Sequence, residues 1–452
     1  MKFNVRRVTD GPKHHLFGFH DLVQSNARGD LILSLEVADI SRPPMPGETC
    51  ASGVVRDGAF IKIHDTHTWN YPQGARQQWI GDTDLFACND REPDGRLVCR
   101  VSDARKGVVC ETLPFPVHCL DANSGKAIYI NYDRVHAVGG YGYTPLVEGN
   151  GNRLEDIPSD DGLWIGNLRS RSNGELLVSL AQIAACGEKR PVRTGFPHYI
   201  THPMLGPDGK RVAFLHRYRL MDGGETTRLL TIGVDGRNLR LLGKGFLSHF
   251  TWISNDEIFI WGKNDPSLYA MREARWLRIP GAQQGVVLAK KLVKTLRGVR
   301  RSSGSGVAQT NFFLKIKDSE DMSSDSLGGG ILVEDGHPMA NPRNLHYLVN
   351  DTYPDADGNR WLMFYDVDKN ERTNVGQFRR LFEAPNIAQF NWRATQAGMD
   401  PRIIKKFKRD DYLFYRSGFH CDLHPRWSAD GSIAYFDSIH EGTRQIYAVE
   451  KA

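Results

Sequence analysis

The sequence predicts an all-β protein, a seven-bladed β-propeller, on three observations. One phrase recurs along the chain: a His beside a Pro or an aromatic, a short run, a turn, then an apolar strand. Its clearest copies are THPMLGPDGKRVAFLHR (201–217) and LHPRWSADGSIAYFDS (423–438), with looser copies at 19–35, 248–261 and 336–353. Self-similarity at a period of about 40–50 residues marks a stacked or radial repeat. The two best copies each read as strand, Asp-Gly turn, strand, which is a β-hairpin. The third observation is composition: 45 Gly, with 21 Phe, 15 Tyr and 9 Trp, suits many strands joined by tight turns.

Taken in order, the repeat heads fall near His20, Gln77, Leu120, His202, His249, His337 and His424, which gives seven units. The second and third heads, in QQWIGDTDLFACND and LDANSGKAIYINY, match least well. The wider gaps leave room for insertions near 284–330 and 380–410, read as surface excursions. No strong amphipathic helix series stands out. RQIYAVE (444–450) reads as an outer strand, and the N-terminal FNVRRV completes the same blade, closing the ring and removing a free edge. Residues 1–452 are therefore expected to form a single propeller domain; a division into two domains near 150 is the alternative.

Composition limits the function classes. The chain has 452 residues, 25% of them charged, and a net charge of +5. That mild excess admits an anionic small molecule or polysaccharide and does not call for nucleic acid. The basic run at 405–409 reads as a solvated loop. The N-terminus lacks the apolar region of a secretory signal, and no stretch of about 18 apolar residues occurs, so a cytoplasmic protein without a membrane span is expected. Seven cysteines with no C-x-x-C spacing read as free thiols. Nucleophile-elbow, Walker and dinucleotide motifs are missing, as is the Asp box of sialidase propellers.

The repeat also predicts where polar residues gather. In such a blade the innermost strand crosses the disc, turns, and the next strand returns. The residue that opens the first strand and the residue that closes the second then share one face, near the central channel. That rule brings His20, His202, His216, Arg217, His249, His337, Tyr353, Asp422 and His424 to one rim. Several imidazoles converging on one channel mouth read as a functional cluster that binds a metal or an anion, because so many buried polar groups would otherwise go to waste. Trp252, Trp261 and Trp427 read as core between blades.

At these residues the chain resembles TolB-type propeller repeats, whose blades carry His/Pro, Trp-Ser and Asp-Gly in that order. It is more specifically similar to the β-propeller polysaccharide lyases, which include the oligogalacturonate and ulvan lyases. It is also similar to propeller proteins encoded with bacterial polysaccharide biosynthesis genes, in HDL, TWNYPQGARQQWI, AFLHRY, SHFTW, DGHP, DTYP and CDLHPRWS. The resemblance spans about residues 15–450. It implies an acidic oligosaccharide or polysaccharide as partner and β-elimination next to a uronate carboxylate as the reaction. His216 would be the base, Arg217 would orient the carboxylate, and Tyr353 would serve as in a His/Tyr pair. His249, His337 and His424 would bind a divalent metal, Mn or Zn, or the carboxylate directly, and His20, His202, Arg444 and Asp422 would line the substrate. The Gln-x-x-His-x-His triplet of the metal-dependent lyases has no counterpart here, so a metal-free version is equally consistent. Two other functions fit the same cluster: a non-catalytic glycan-binding or scaffold propeller, and a glycoside hydrolase, which needs two facing carboxylates from Asp422 and Asp351 or Asp437.

Overall fold

The computed structural model describes residues 2–451 except 139, 148–153, 171, 189–191, 193–194, 221–223, 265–311, 322, 382–384 and 408–409. The basic stretch expected as an insertion at 284–309 lies outside the described residues. Antiparallel strands dominate, and they form five four-stranded sheets and one seven-stranded sheet. The all-β propeller expectation holds, but seven discrete blades do not: five are separate. The seven strands between Tyr199 and Leu327 run on as one sheet. The physical reason is the 13-residue strand Arg240–Trp252. Its first half pairs with Glu225–Gly233 and its second half with Glu257–Asn264, with a register shift on each side. The strand that ends one hairpin set begins the next without a break, so no loop separates the two.

The ends of the chain close on each other as expected. Phe3–Arg7 pairs antiparallel with Gln445–Lys451 over five residue pairs, Phe3 with Lys451 through Arg7 with Tyr447. The edge of that sheet is thereby covered by the chain's own N-terminus.

Tryptophans join the sheets. Trp79 Nε1 donates to the Gln24 carbonyl (2.9 Å), Trp252 Nε1 to Met204 (3.2 Å) and Trp427 Nε1 to Met339 (3.1 Å). Each indole lies buried against the preceding inner segment and satisfies its only donor there. The Asp-Gly turns at 208–209 and 430–431 are confirmed as turns, with Gly209 and Gly431 both at positive φ.

The 380–410 excursion is not a plain loop. Helices Ile387–Gln396, Pro401–Lys406 and Asp410–Arg416 pack Phe390, Ala394, Met399, Phe407 and Leu413 against Met45. Phe390 and Ala394 are four residues apart and share one helix face. Pro401 and Gly398 break the pattern into short helices, which hid it from a search for a long amphipathic repeat. Phe407, within the basic run, is buried. All seven cysteines are free. Among the described residues, no helix is long and apolar enough to cross a membrane.

Candidate functional site

A group of buried imidazoles occupies the centre, each supplied by the start of a different inner segment. His249 and His337 have ring centroids 4.2 Å apart, and His337 and His424 are 4.3 Å apart. His20 lies 5.5 Å from His337 and 5.9 Å from His249, and His202 lies 6.2 Å from His249. Phe19 fills the middle, 4.3 Å from His20, 4.8 Å from His202 and 5.1 Å from His424. Arg76 and His118 extend the group beside His202. Arg76 donates to the His118 carbonyl (2.9 Å) and bonds Asp21 through both guanidinium nitrogens (2.8 Å each).

The backbone is bent to present these side chains. Arg76, His202 and His424 all sit at positive φ, where side-chain-bearing residues are uncommon. Gly18, at φ +143°, lies so close to Gln73 that an added Cβ would be 2.6 Å from its carbonyl oxygen. Only glycine fits, and its own carbonyl accepts from His424 Nδ1 at 2.9 Å.

Four of the rings are anchored in the same way. His20 Nδ1 donates to the Pro338 carbonyl (2.8 Å), and His424 Nδ1 donates to Gly18. His337 Nδ1 meets Asp351 Oδ1 at 2.8 Å, and His249 Nδ1 meets Asp335 Oδ1 at 3.1 Å. A ring that donates from Nδ1 keeps its Nε2 lone pair for a ligand, which is how metal-binding histidines are oriented from behind. His20 Nε2 and Asp422 Oδ1 are buried with no hydrogen-bond partner. The ligand atoms of His337, Asp422 and His424 lie within 4.8 Å of one another. Two imidazoles and a carboxylate, oriented and converging, fit a divalent cation such as Mn or Zn.

The electrostatics agree. Burial, reinforced by neighbouring histidines, holds His20 and His424 well below the usual imidazole range, so both are neutral. Burial lowers His249 too, against Asp335. His337 goes the other way: burial opposes its charge, but Asp351, Asp422 and Asp335 outweigh burial and raise it. Asp422 is held well below the carboxylate range, because His420, His337 and His424 outweigh its burial. Burial, helped by Asp422 and Asp335, pushes Tyr353 well above the usual phenol range.

The residues expected at the rim divide into two sets. His20, His202, His249, His337 and His424 come together, with Tyr353 5.2 Å from His337 and Asp422 among them. Arg217 lies beside them as a charge that depresses His202 and His249, and is 3.6 Å from Glu225. His216 is elsewhere. Its neighbour Arg217 takes the opposite face of the strand, as alternation requires. His216 is fully buried, with Nε2 3.0 Å from His198 Nδ1 and Nδ1 3.4 Å from Arg228. Arg444 is also not at the rim, because it is buried against Asp437 (3.0 Å) and over Tyr71. Two of the three acids considered for hydrolysis are committed: Asp437 to Arg444 and Arg426, Asp351 to His337 and the His424 amide (3.1 Å).

Sequence reasoning missed five contributors. The second and third heads are Arg76 and His118, one and two residues before the positions expected at Gln77 and Leu120. Asp351 and Asp335 were not recognised as the carboxylates behind His337 and His249. His420, whose Nε2 lies 2.8 Å from Asp422 Oδ2, was overlooked although HCDLH displays it. The His-x-Asp-x-His spacing of residues 420–424 was the available signal.

No family model matches the chain, and no curated protein matches it in sequence. Solved structures do match in fold. An oligogalacturonate lyase in complex with manganese superposes with a TM-score of 0.57 at 13% identity, covering 99% of this chain and 93% of its own. The oligogalacturonate lyase of Vibrio parahaemolyticus gives 0.53 at 12% identity, covering 100% and 97%. At this identity the similarity establishes the propeller arrangement.

Proposed function

We propose that the central group holds a divalent cation through His337, Asp422 and His424, and that the chain is a lyase that cleaves a uronate-containing oligosaccharide by β-elimination. The observation that carries this reading is the convergence of two imidazole nitrogens and a carboxylate, with both rings fixed from behind, in a propeller whose fold neighbour is a manganese-bound lyase. His249 lies at the edge of the group, and its carboxylate partner Asp335 orients it. A bound cation would neutralise the substrate carboxylate, so that charge can build at the adjacent carbon.

The remaining roles fall to the chain's own residues. Arg217, beside His202 and His249, binds a uronate carboxylate as a planar donor. The base is a ring imidazole. We assign it to His202, which is buried, held neutral by burial and Arg217, and has Nδ1 without a hydrogen-bond partner. This assignment replaces His216, which His198, Tyr218 and Arg228 enclose. The base takes the proton from the carbon next to the carboxylate. The electron pair left behind forms the new carbon–carbon double bond, the C4–O bond breaks, and the leaving oxygen takes a proton. Tyr353, held protonated well above neutral pH, supplies it.

The test is ultraviolet absorbance during incubation with a panel of uronate oligosaccharides, with and without added Mn. A rise from the unsaturated product, lost in His202→Ala, is the expected result. Binding of the same oligosaccharides with no rise for any of them would overturn the lyase reading in favour of a glycan-binding propeller.

A further inference from the structure

The helical insertion does more than decorate the surface. With three segments of the propeller it borders an open pocket of about 60 Å³, lined by Pro43, Pro72, Tyr141, Ile403, Phe407 and Arg416 among others. The insertion is fastened there. Arg416 donates to the Gly140 carbonyl (3.0 Å) and lies 4.3 Å over the Tyr141 ring, and Arg393 reaches Asp39 at 3.1 Å. The pocket borders the central group. Tyr415, next to Arg416, is 4.8 Å from His420, which holds Asp422. Arg416 and His420 are four positions apart in the chain, a reach of at most about 14 Å.

The chemistry of the walls is selective. An unsubstituted pyranose carries hydroxyls on every side and needs donors and acceptors to replace water. Here two of the polar side chains are already engaged. Asn70 donates to the Tyr141 and Gly142 carbonyls (3.1 and 3.2 Å) and accepts from the Gln73 amide (2.8 Å). The Thr144 hydroxyl donates to the Pro44 carbonyl (3.2 Å). The rest is mainly proline, methionine, isoleucine and phenylalanine, with the Tyr141 ring, His136 and one guanidinium also in the lining. Such a site suits an apolar substituent on an anionic sugar.

We infer that this pocket is a specificity subsite for an O-acylated unit of the uronate chain, the acyl group lying against Pro43, Ile403 and Phe407 and the carboxylate of that unit near Arg416. The inference rests on the proposed function for the identity of the chain, but its test is read by binding, not turnover. Titration calorimetry would compare an oligogalacturonate with its partially O-acetylated form of the same length. Wild-type protein binds the acetylated form about tenfold more tightly, the scale on which a small apolar group is discriminated. In Ile403→Asn and, separately, Pro43→Ser, that ratio falls towards one, while the melting temperature confirms folding. Equal affinities in wild type, or a ratio that persists in both folded variants, overturns the inference. A preserved binding preference without any absorbance rise would fail the lyase reading alone. Equal binding with an absorbance rise would fail the acyl subsite alone.

Discussion

Two groups of buried histidines lie in this molecule, and they differ in what stands behind them. In the central group, His249 and His337 are backed by Asp335 and Asp351, and Asp422 joins the cluster from His420. In the outer pair, His198 and His216 stand 3.0 Å apart with Arg228 beside them, and Lys244 adds to the positive field. Both sets are buried and both contain imidazoles held neutral. Among the described residues, only the first brings carboxylate and imidazole ligand atoms to one point; the Glu188 carboxylate near the outer pair is taken by Lys244 (2.9 Å) and Arg228 (3.8 Å), so only the first is built to attract a cation. The identity of a residue says little about a site until the charges of its second contacts are known.

The largest way to break this comparison is to remove the carboxylate. Asp422→Ala should weaken Mn binding by more than 100-fold in a calorimetric titration, since it deletes a ligand and leaves two imidazoles. Retained affinity would show that the acids do not define the site. A step smaller is Asp351→Asn, which keeps the shape but weakens the orientation of His337 and the His424 amide; a 10–100-fold loss of Mn affinity is expected from such outer partners.

The outer pair makes the opposite prediction. His216→Gln should leave Mn affinity within about twofold. It should change the pH dependence of stability instead. Burial, with His198 and Arg228, holds His216 well below its unfolded value, so the unfolded chain binds more protons in the window below about 6.5. Stability therefore rises with pH through that window and falls on acidification, by up to about 1.4 kcal/mol per pH unit for each proton the unfolded state gains. Melting curves between pH 7.5 and 5.5 should show that slope reduced in His216→Gln. An unchanged slope would mean that His216 takes up its proton without unfolding.

The contrast also explains what could be read from the sequence. The repeat phrase located His20, His202, His249, His337 and His424, because each opens a segment with its own turn and strand. It misjudged His216, because adjacent residues on a strand face opposite sides and Arg217 took the channel. It placed Arg444 at the rim, whereas Asp437, seven residues earlier, draws it into a buried ion pair that Arg426 shares. The number of separate blades was obscured for a related reason: strand Arg240–Trp252 is continuous through what the spacing divides. The acids behind His249 and His337 lie far along the chain or across a hairpin, Asp335 in a loop and Asp351 at the end of strand Asn344–Asp351, and the helical insertion is cut into pieces too short for periodicity to reveal.

A cation held between His337, Asp422 and His424 can be located in crystals soaked in manganese, by anomalous diffraction at the manganese edge. A single strong peak flanked by the Nε2 atoms of both histidines and a carboxylate oxygen of Asp422 is the predicted result. An empty central group at saturating manganese, or a peak beside His198 and His216, would contradict it.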